Sequence, residues 1–191
     1  MDRAADHSSA CERIFAVLKG EQGHLLAAGR LASRLSMAQA QVERCLESLA
    51  VAGRVILLPR IACADPGPAD RKVYVPGHVG RVVGANWEAA VVSAVLTVLP
   101  DGARSGFFRD AGGAEMDLVL EFPPDGVVWA IEIKLRAGTR LRASFHRAYA
   151  QLQPERAFLV HSGAERFRVM DGVEAIGLEE MAGLVKSRGK C

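Results

Sequence analysis

Asp117, Glu132 and Lys134 stand at spacings that could build a metal-assisted hydrolytic centre. They fall in residues 115–135, which read EMDLVLEF, then PPDG, then VVWAIEIKL. Two apolar, β-branched runs joined by a Pro/Gly turn predict a strand, a turn and a second strand. Side chains alternate faces along a strand, so Glu115, Asp117, Val119 and Glu121 share one face, and Met116, Leu118, Leu120 and Phe122 take the other. In the second run Val128, Ala130, Glu132 and Lys134 line one face, backed by Val127, Trp129, Ile131, Ile133 and Leu135. Two acids and a lysine can therefore converge on one sheet face.

Hydrolysis of a phosphodiester needs a cation that neutralises developing charge and lowers the pKa of the attacking water. A hard ion such as Mg²⁺ (or Mn²⁺) takes carboxylate and carbonyl oxygens. Asp117, Glu132 and the backbone carbonyl of Ile133 could supply three of these. Lys134 could orient the water or stabilise the charge on phosphorus-bound oxygen. Glu88 could complete the site through a metal-bound water or a second metal. The alternative is a simple cross-strand ion pair. A chain with five lysines against nineteen arginines is less expected to put a lysine inside an apolar strand. That favours a site.

The elements that must position these residues come next. Residues 1–10 are polar and read as a disordered tail. Ile14, Phe15 and Leu18 recur at helical spacing up to Lys19-Gly20, and Leu31, Ala32 and Leu35 suggest a second short helix after Leu25-Leu26. Ser36 could cap a third helix, in which Val42, Cys45, Leu46 and Leu49 form an apolar stripe up to Gly53. Two strands follow at residues 54–58 and 72–75, separated by the Pro/Gly-rich ACADPGPADR. Three helices and a strand pair in this order are those of a winged helix-turn-helix, with Gln39, Gln41 and Arg44 near the groove-facing start of the third helix. Such modules also serve only to pack against other domains.

Pro76-Gly77-His78 punctuates a boundary. Beyond it the sequence predicts a buried helix over residues 87–99, a short strand over 106–109, the two strands above, a helix over 141–152, a strand over 156–161, a short strand over 167–170 and a helix over 178–185.

Lys+Arg and Asp+Glu nearly cancel, 24 against 22, so a nucleic-acid partner must rest on local charge. One such stretch exists. Between Lys134 and Glu155 there is no acid, while Arg136, Arg140, Arg142, His146 and Arg147 fall there. With Arg109 these arginines could hold a phosphate backbone, or form a solvated helix face. Cys11, Cys45, Cys63 and Cys191 have no CxxC or Cys/His spacing, which argues against zinc and for reduced thiols in the cytoplasm. No signal peptide and no apolar run of membrane-spanning length is present, so a soluble cytoplasmic protein without membrane contact is expected.

The order helix with Glu88, short strand, strand with Asp117, turn, strand with Glu132 and Lys134, helix, strand resembles the PD-(D/E)XK nuclease fold of restriction endonucleases and Holliday-junction resolvases. Residues 72–160 more closely resemble the nuclease-like domain that follows a winged helix at the C-terminus of a family of prokaryotic AAA-type ATPases. Its motifs stand here as Gly84...Glu88, Arg109...Gly113-Ala114-Glu115-Met116-Asp117 and Glu132-Ile133-Lys134. The ATPase module itself is missing, since no GxxxxGK[ST] phosphate loop occurs. The resemblance implies an α/β chain: a winged-helix domain over residues 11–78 and a restriction-endonuclease-like domain with a central mixed sheet over 79–191. It implies a Mg²⁺-dependent nuclease acting on DNA, partnered by a separate ATPase or a second copy of itself. Two rivals share the fold: a non-catalytic winged-helix DNA-binding protein, and a protein-interaction module.

Overall fold

The computed structural model describes residues 3–61, 71–78 and 83–189. The chain divides into two compact units, Met1–Leu58 with Asp65–Ala89, and Pro59–Ala64 with Ala90–Cys191. The division falls inside a helix. Among the described residues there are six helices, and the larger sheet is a mixed one of six strands. No helix among them is long and apolar enough to cross a membrane.

The first unit runs α1 (Arg3–Leu18), β1 (Leu25–Leu26), α2 (Ala28–Leu35), α3 (Gln39–Val51), β2 (Ile56–Pro59) and β3 (Arg71–Tyr74). Its three strands are ordered β1-β3-β2, with β1 antiparallel to β3. The apolar stripe of α3 buries Val42, Cys45, Leu46 and Leu49 against Ile14 and Leu18 of α1 and Val73 of β3. Gly53 ends α3 in the left-handed region at φ 67°, where its own N–H bonds to Ala50 and that of Arg54 to Leu49. The carbonyls of the last turn are thereby satisfied in a Schellman arrangement. Most of the loop expected between β2 and β3 lies outside the described residues.

Two sequence expectations change here. Residues 3–10 are helical rather than a disordered tail, because Ala10 and Cys11 are buried in the core and His7 reaches Ser48 on α3. The helix is held by tertiary contact, which its polar composition does not advertise. Ser36, expected to begin α3, instead ends α2: it takes φ 52° and donates its N–H to the last turn of that helix. The residue before α3 is Ala38, whose side chain makes no cap.

α4 (Val83–Thr97) crosses from the first unit into the second. The second unit continues with β4 (Arg104–Arg109), β5 (Glu115–Phe122), β6 (Val127–Ile133), α5 (Ala143–Leu152), β7 (Arg156–His161), β8 (Phe167–Met170), β9 (Val173–Gly177) and α6 (Leu178–Arg188). The sheet order is β4-β5-β6-β7-β9-β8. β4, β5 and β6 form an antiparallel meander, β7 runs parallel to β6 and β9 to β7, and β8 returns antiparallel on β9. A parallel pair needs a crossover, and α5 supplies it between β6 and β7. Phe145 and Ala148 of α5 bury against Val119, Ala130 and Leu159 on one sheet face. β9 was not expected from sequence; it is five residues long and passes directly into α6.

On the opposite alternation of β6, Trp129 makes edge contacts with Phe122 and Phe158, ring centroids 5.0 and 5.6 Å away. β6 is thus buried on both sides from Trp129 to Ile133. Residues 59–61 run beside β4: Arg60 bridges Phe107, and Ile61 donates its N–H to the Phe107 carbonyl at 2.8 Å. Gly106 permits this approach, since a Cβ there would lie 2.6 Å from the Pro59 oxygen and 2.8 Å from Ile61 Cβ. Gly106→Ala is therefore expected to lower unfolding free energy by about 1–3 kcal/mol, read from urea denaturation. An unchanged midpoint would show that this segment does not pair with β4 in solution.

Candidate functional site

The register of β5 on β6 decides which side chains meet. Leu118 pairs with Ile131 and Val119 with Ala130, so one step further Asp117 stands across from Glu132 on the same face. At that point the ladder changes partner, because Ile133 donates its N–H to Asp117 Oδ2 at 2.9 Å. On the other side Lys134 keeps β6 tied to β7 by donating its N–H to the Val160 carbonyl at 3.0 Å.

The side chain of Lys134 folds back over this junction. Its Nζ lies 2.6 Å from Glu132 Oε1, 3.6 Å from Asp117 Oδ2 and 3.2 Å from the Ile133 carbonyl. Three oxygens of three neighbouring groups thus surround one position that already holds a positive charge. The site is only partly open: side-chain exposure is 22% for Lys134, 13% for Asp117 and 7% for Glu132. Burial raises the Glu132 carboxyl, and the Asp117 charge raises it further; against the opposing pull of Lys134 it is pushed up to about 7. Glu115 adds to the same negative field.

These donors suit a hard divalent ion. Two carboxylates and a carbonyl are the ligand types that Mg²⁺ or Mn²⁺ takes, with waters filling the remaining octahedral positions. An ammonium set among the same three oxygens demonstrates that they can face one cation.

Of the residues picked out from sequence, the structure brings Asp117, Glu132, Ile133 and Lys134 together. Glu88 belongs to the first unit. There it accepts a hydrogen bond from the Tyr74 hydroxyl at 2.6 Å and lies 3.7 Å from Nζ of Lys72, a lysine only 5% exposed. Lys72 and Tyr74 stand two residues apart on β3 and so share a face, which is all that the sequence shows of this pairing. Arg109 is exposed at the end of β4, opposite Glu115. Arg136 and Arg140 are exposed after β6, Arg142 is the N-cap residue of α5, and Arg147 donates to the Gly113 carbonyl at 3.1 Å.

The model of the family described as "Domain of unknown function (DUF4143)" matches residues 83–181, more than half of the chain and the whole of this junction. The chain belongs to the DUF4143 family. DUF4143 domains are in general found at the C-terminus of AAA-type ATPases. Two curated relatives are the uncharacterized protein Rv2008c of Mycobacterium tuberculosis and the uncharacterized protein Mb2031c of Mycobacterium bovis. Each is 26% identical over 187 residues, a match covering 88% of this chain and 42% of the relative. The chain thus spans less than half the length of these relatives. No solved structure matches it.

The raised Glu132 gives a test of the junction in metal-free buffer. A carboxyl whose folded pKa lies above its ordinary 4.5 binds its proton more tightly when folded, so stability is greatest below that value. It falls as pH rises towards about 7. The expected loss across that window is up to about 3 kcal/mol. In EDTA, Glu132→Gln should flatten this part of the stability profile, and an identical slope in the variant would contradict the burial described.

Proposed function

We propose that this chain is a Mg²⁺- or Mn²⁺-dependent phosphodiester hydrolase of PD-(D/E)XK type that acts on DNA. The observation that carries the reading is the convergence of Asp117, Glu132 and the Ile133 carbonyl on one cation position, in contact with Lys134. The element order supports it: α4, a three-strand meander, the crossover helix α5 and the parallel strand β7 follow the order of that fold. The family's ATPase association is compatible with a module that works on DNA beside an ATPase, and a further copy of the chain is the alternative partner.

Asp117 and Glu132 would hold the ion with the Ile133 carbonyl. The ion supplies charge neutralisation at the phosphate and a water of lowered pKa. Lys134, with both neighbouring carboxylates engaged as ligands, would be able to donate to a phosphate oxygen or to the water. The junction's low exposure strengthens each of these interactions. Arg136, Arg140, Arg142 and Arg147 are exposed beyond the junction and would bind backbone phosphates. Glu88, engaged with Tyr74 and Lys72, has no assigned step.

The first unit would be a winged helix, on the strength of its element order and its β1-β3-β2 sheet. Gln39 and Arg44 are exposed on α3, Gln41 is half-buried, and Gln39 donates its amide to Glu43 at 2.8 Å. These residues would face a DNA groove.

One observation favours a second reading, a non-catalytic DNA-binding protein. Lys134 sits 2.6 Å from Glu132 and already pairs with the acid, as in a structural ion pair. Incubation of the purified chain with linear, nicked and branched DNA separates the two. The catalytic reading expects cleavage that requires Mg²⁺ or Mn²⁺, reduced at least about 100-fold by Lys134→Ala with the circular dichroism spectrum unchanged. Equal cleavage by that variant removes Lys134 from the mechanism. Salt-dependent DNA binding without any metal-dependent product, unchanged by Asp117→Ala, establishes the second reading.

A further inference from the structure

The sequence spacing argues against zinc, yet the fold brings two of the four cysteines and a histidine to one place. His7 and Cys11 are four residues apart on α1, and so share one helix face. Cys45 meets them from α3, the helix packed against it in the first unit's core. Cys11 Sγ lies 3.5 Å from His7 Nε2, and Cys45 Sγ lies 3.7 Å from His7 Nδ1. One ligand atom from each of the three residues falls within 4.8 Å of the others, the single such grouping of histidine, cysteine and acidic residues among the described residues. Both cysteines are free thiols.

These separations fit a tetrahedral thiophilic ion. Bond lengths of about 2.3 Å to sulfur and 2.0–2.1 Å to nitrogen, at a tetrahedral angle, set a sulfur-to-nitrogen edge of about 3.6 Å. The observed contacts straddle that value. They use the two nitrogens of one ring standing between the sulfurs, so a turn of the imidazole directs one nitrogen to a shared ion. Ser48 Oγ, 3.2 Å from His7 Nε2 and one turn beyond Cys45 on α3, or a water, can take the fourth position. Cys45 is fully buried and Cys11 nearly so, while His7 is half-buried and leaves a way in. Two thiolates and a neutral imidazole around a divalent ion sum to zero charge, which such a buried place requires.

We propose that His7, Cys11 and Cys45 form a site for a thiophilic d¹⁰ ion, Zn²⁺ foremost, that staples α1 to α3. Two sulfur ligands select against Mg²⁺ and Mn²⁺, so this site is chemically separate from the Asp117/Glu132 junction and does not rest on its reading. Burial, together with the Cys11 thiol, pushes the Cys45 thiol up to about 12. Without an ion Cys45 keeps its proton, and binding must release it.

The test uses the full chain, reduced and stripped of metal, titrated with Co²⁺ as a spectroscopic substitute for zinc. One equivalent is expected to produce thiolate-to-cobalt charge transfer and tetrahedral d–d absorption, both displaced by one equivalent of Zn²⁺. Zn²⁺ should also raise the melting temperature. His7→Ala and Cys11→Ser, which alter the less buried ligands, should each weaken cobalt binding at least about tenfold while keeping the helical spectrum. Cys45→Ser should abolish the thiolate band, and if it fails to fold, the other two variants still decide the matter. A chain that gives no thiolate band at saturating Co²⁺, or a band equal in His7→Ala and Cys11→Ser, overturns the proposal and in the latter case assigns the sulfur to Cys63 or Cys191.

Discussion

The register between β5 and β6 is the constraint on which the second unit depends. Because side chains alternate with a period of two, a slip of β5 by one residue on β6 would turn Val119 away from α5 and bring Leu118 and Leu120 beneath it. The same slip would part Asp117 from Glu132. Core packing and the charged junction are therefore specified together, and the apolar part carries the greater energy. Burial of Phe145, Val119 and Leu159 each contributes on the order of 1–3 kcal/mol. A buried carboxylate beside an ammonium contributes little net stability. The hydrophobic contacts hold the acid in a place that its own desolvation disfavours.

Much of this was legible in the sequence because the strands at residues 115–122 and 127–133 carry a strict alternation and a Pro/Gly turn, and period two is enough to assign faces. The crossover helix α5 was legible for the same kind of reason, a clear stripe at helical period. What the sequence hid depended on tertiary partners. The start of α1 has no apolar stripe of its own and is ordered by α3. Ser36 carries the side chain of an N-cap but has the backbone of a helix end. β9 pairs with β8 across the Asp171-Gly172 turn, but it passes at Gly177 straight into α6, so its apolar residues merge in sequence with those of the helix.

The ionisable groups show a related limit. Lys134 beside Glu132 could be read from a two-residue spacing, whereas Lys72, Tyr74 and Glu88 are joined by the fold across fourteen or more residues. The cysteine cluster spans 38 residues between His7 and Cys45. Spacing rules describe metal sites built on one loop or turn, and a site assembled from the facing sides of two packed helices leaves only an i, i+4 trace in the sequence. The two units group opposite kinds of donor atom, carboxylate and carbonyl oxygens at the β5/β6 junction and thiol sulfurs between α1 and α3.

The segment that bridges β4 has a consequence for how the protein behaves in a crowded solution. An open sheet exposes two rows of unsatisfied backbone groups, and each is a template for strands from other molecules. At the β4 rim, residues 59–61 occupy the Phe107 carbonyl and lay a chain across the approach. At the β8 rim, the register breaks between Arg168 and Met170, and Arg168 pairs with Asp171, setting charge and a kink where a neighbour would have to dock. Each rim of the six-stranded sheet is thereby obstructed, at β4 by an added length of chain and at β8 by a charged kink, against the edge-to-edge pairing that its apolar strands would otherwise invite.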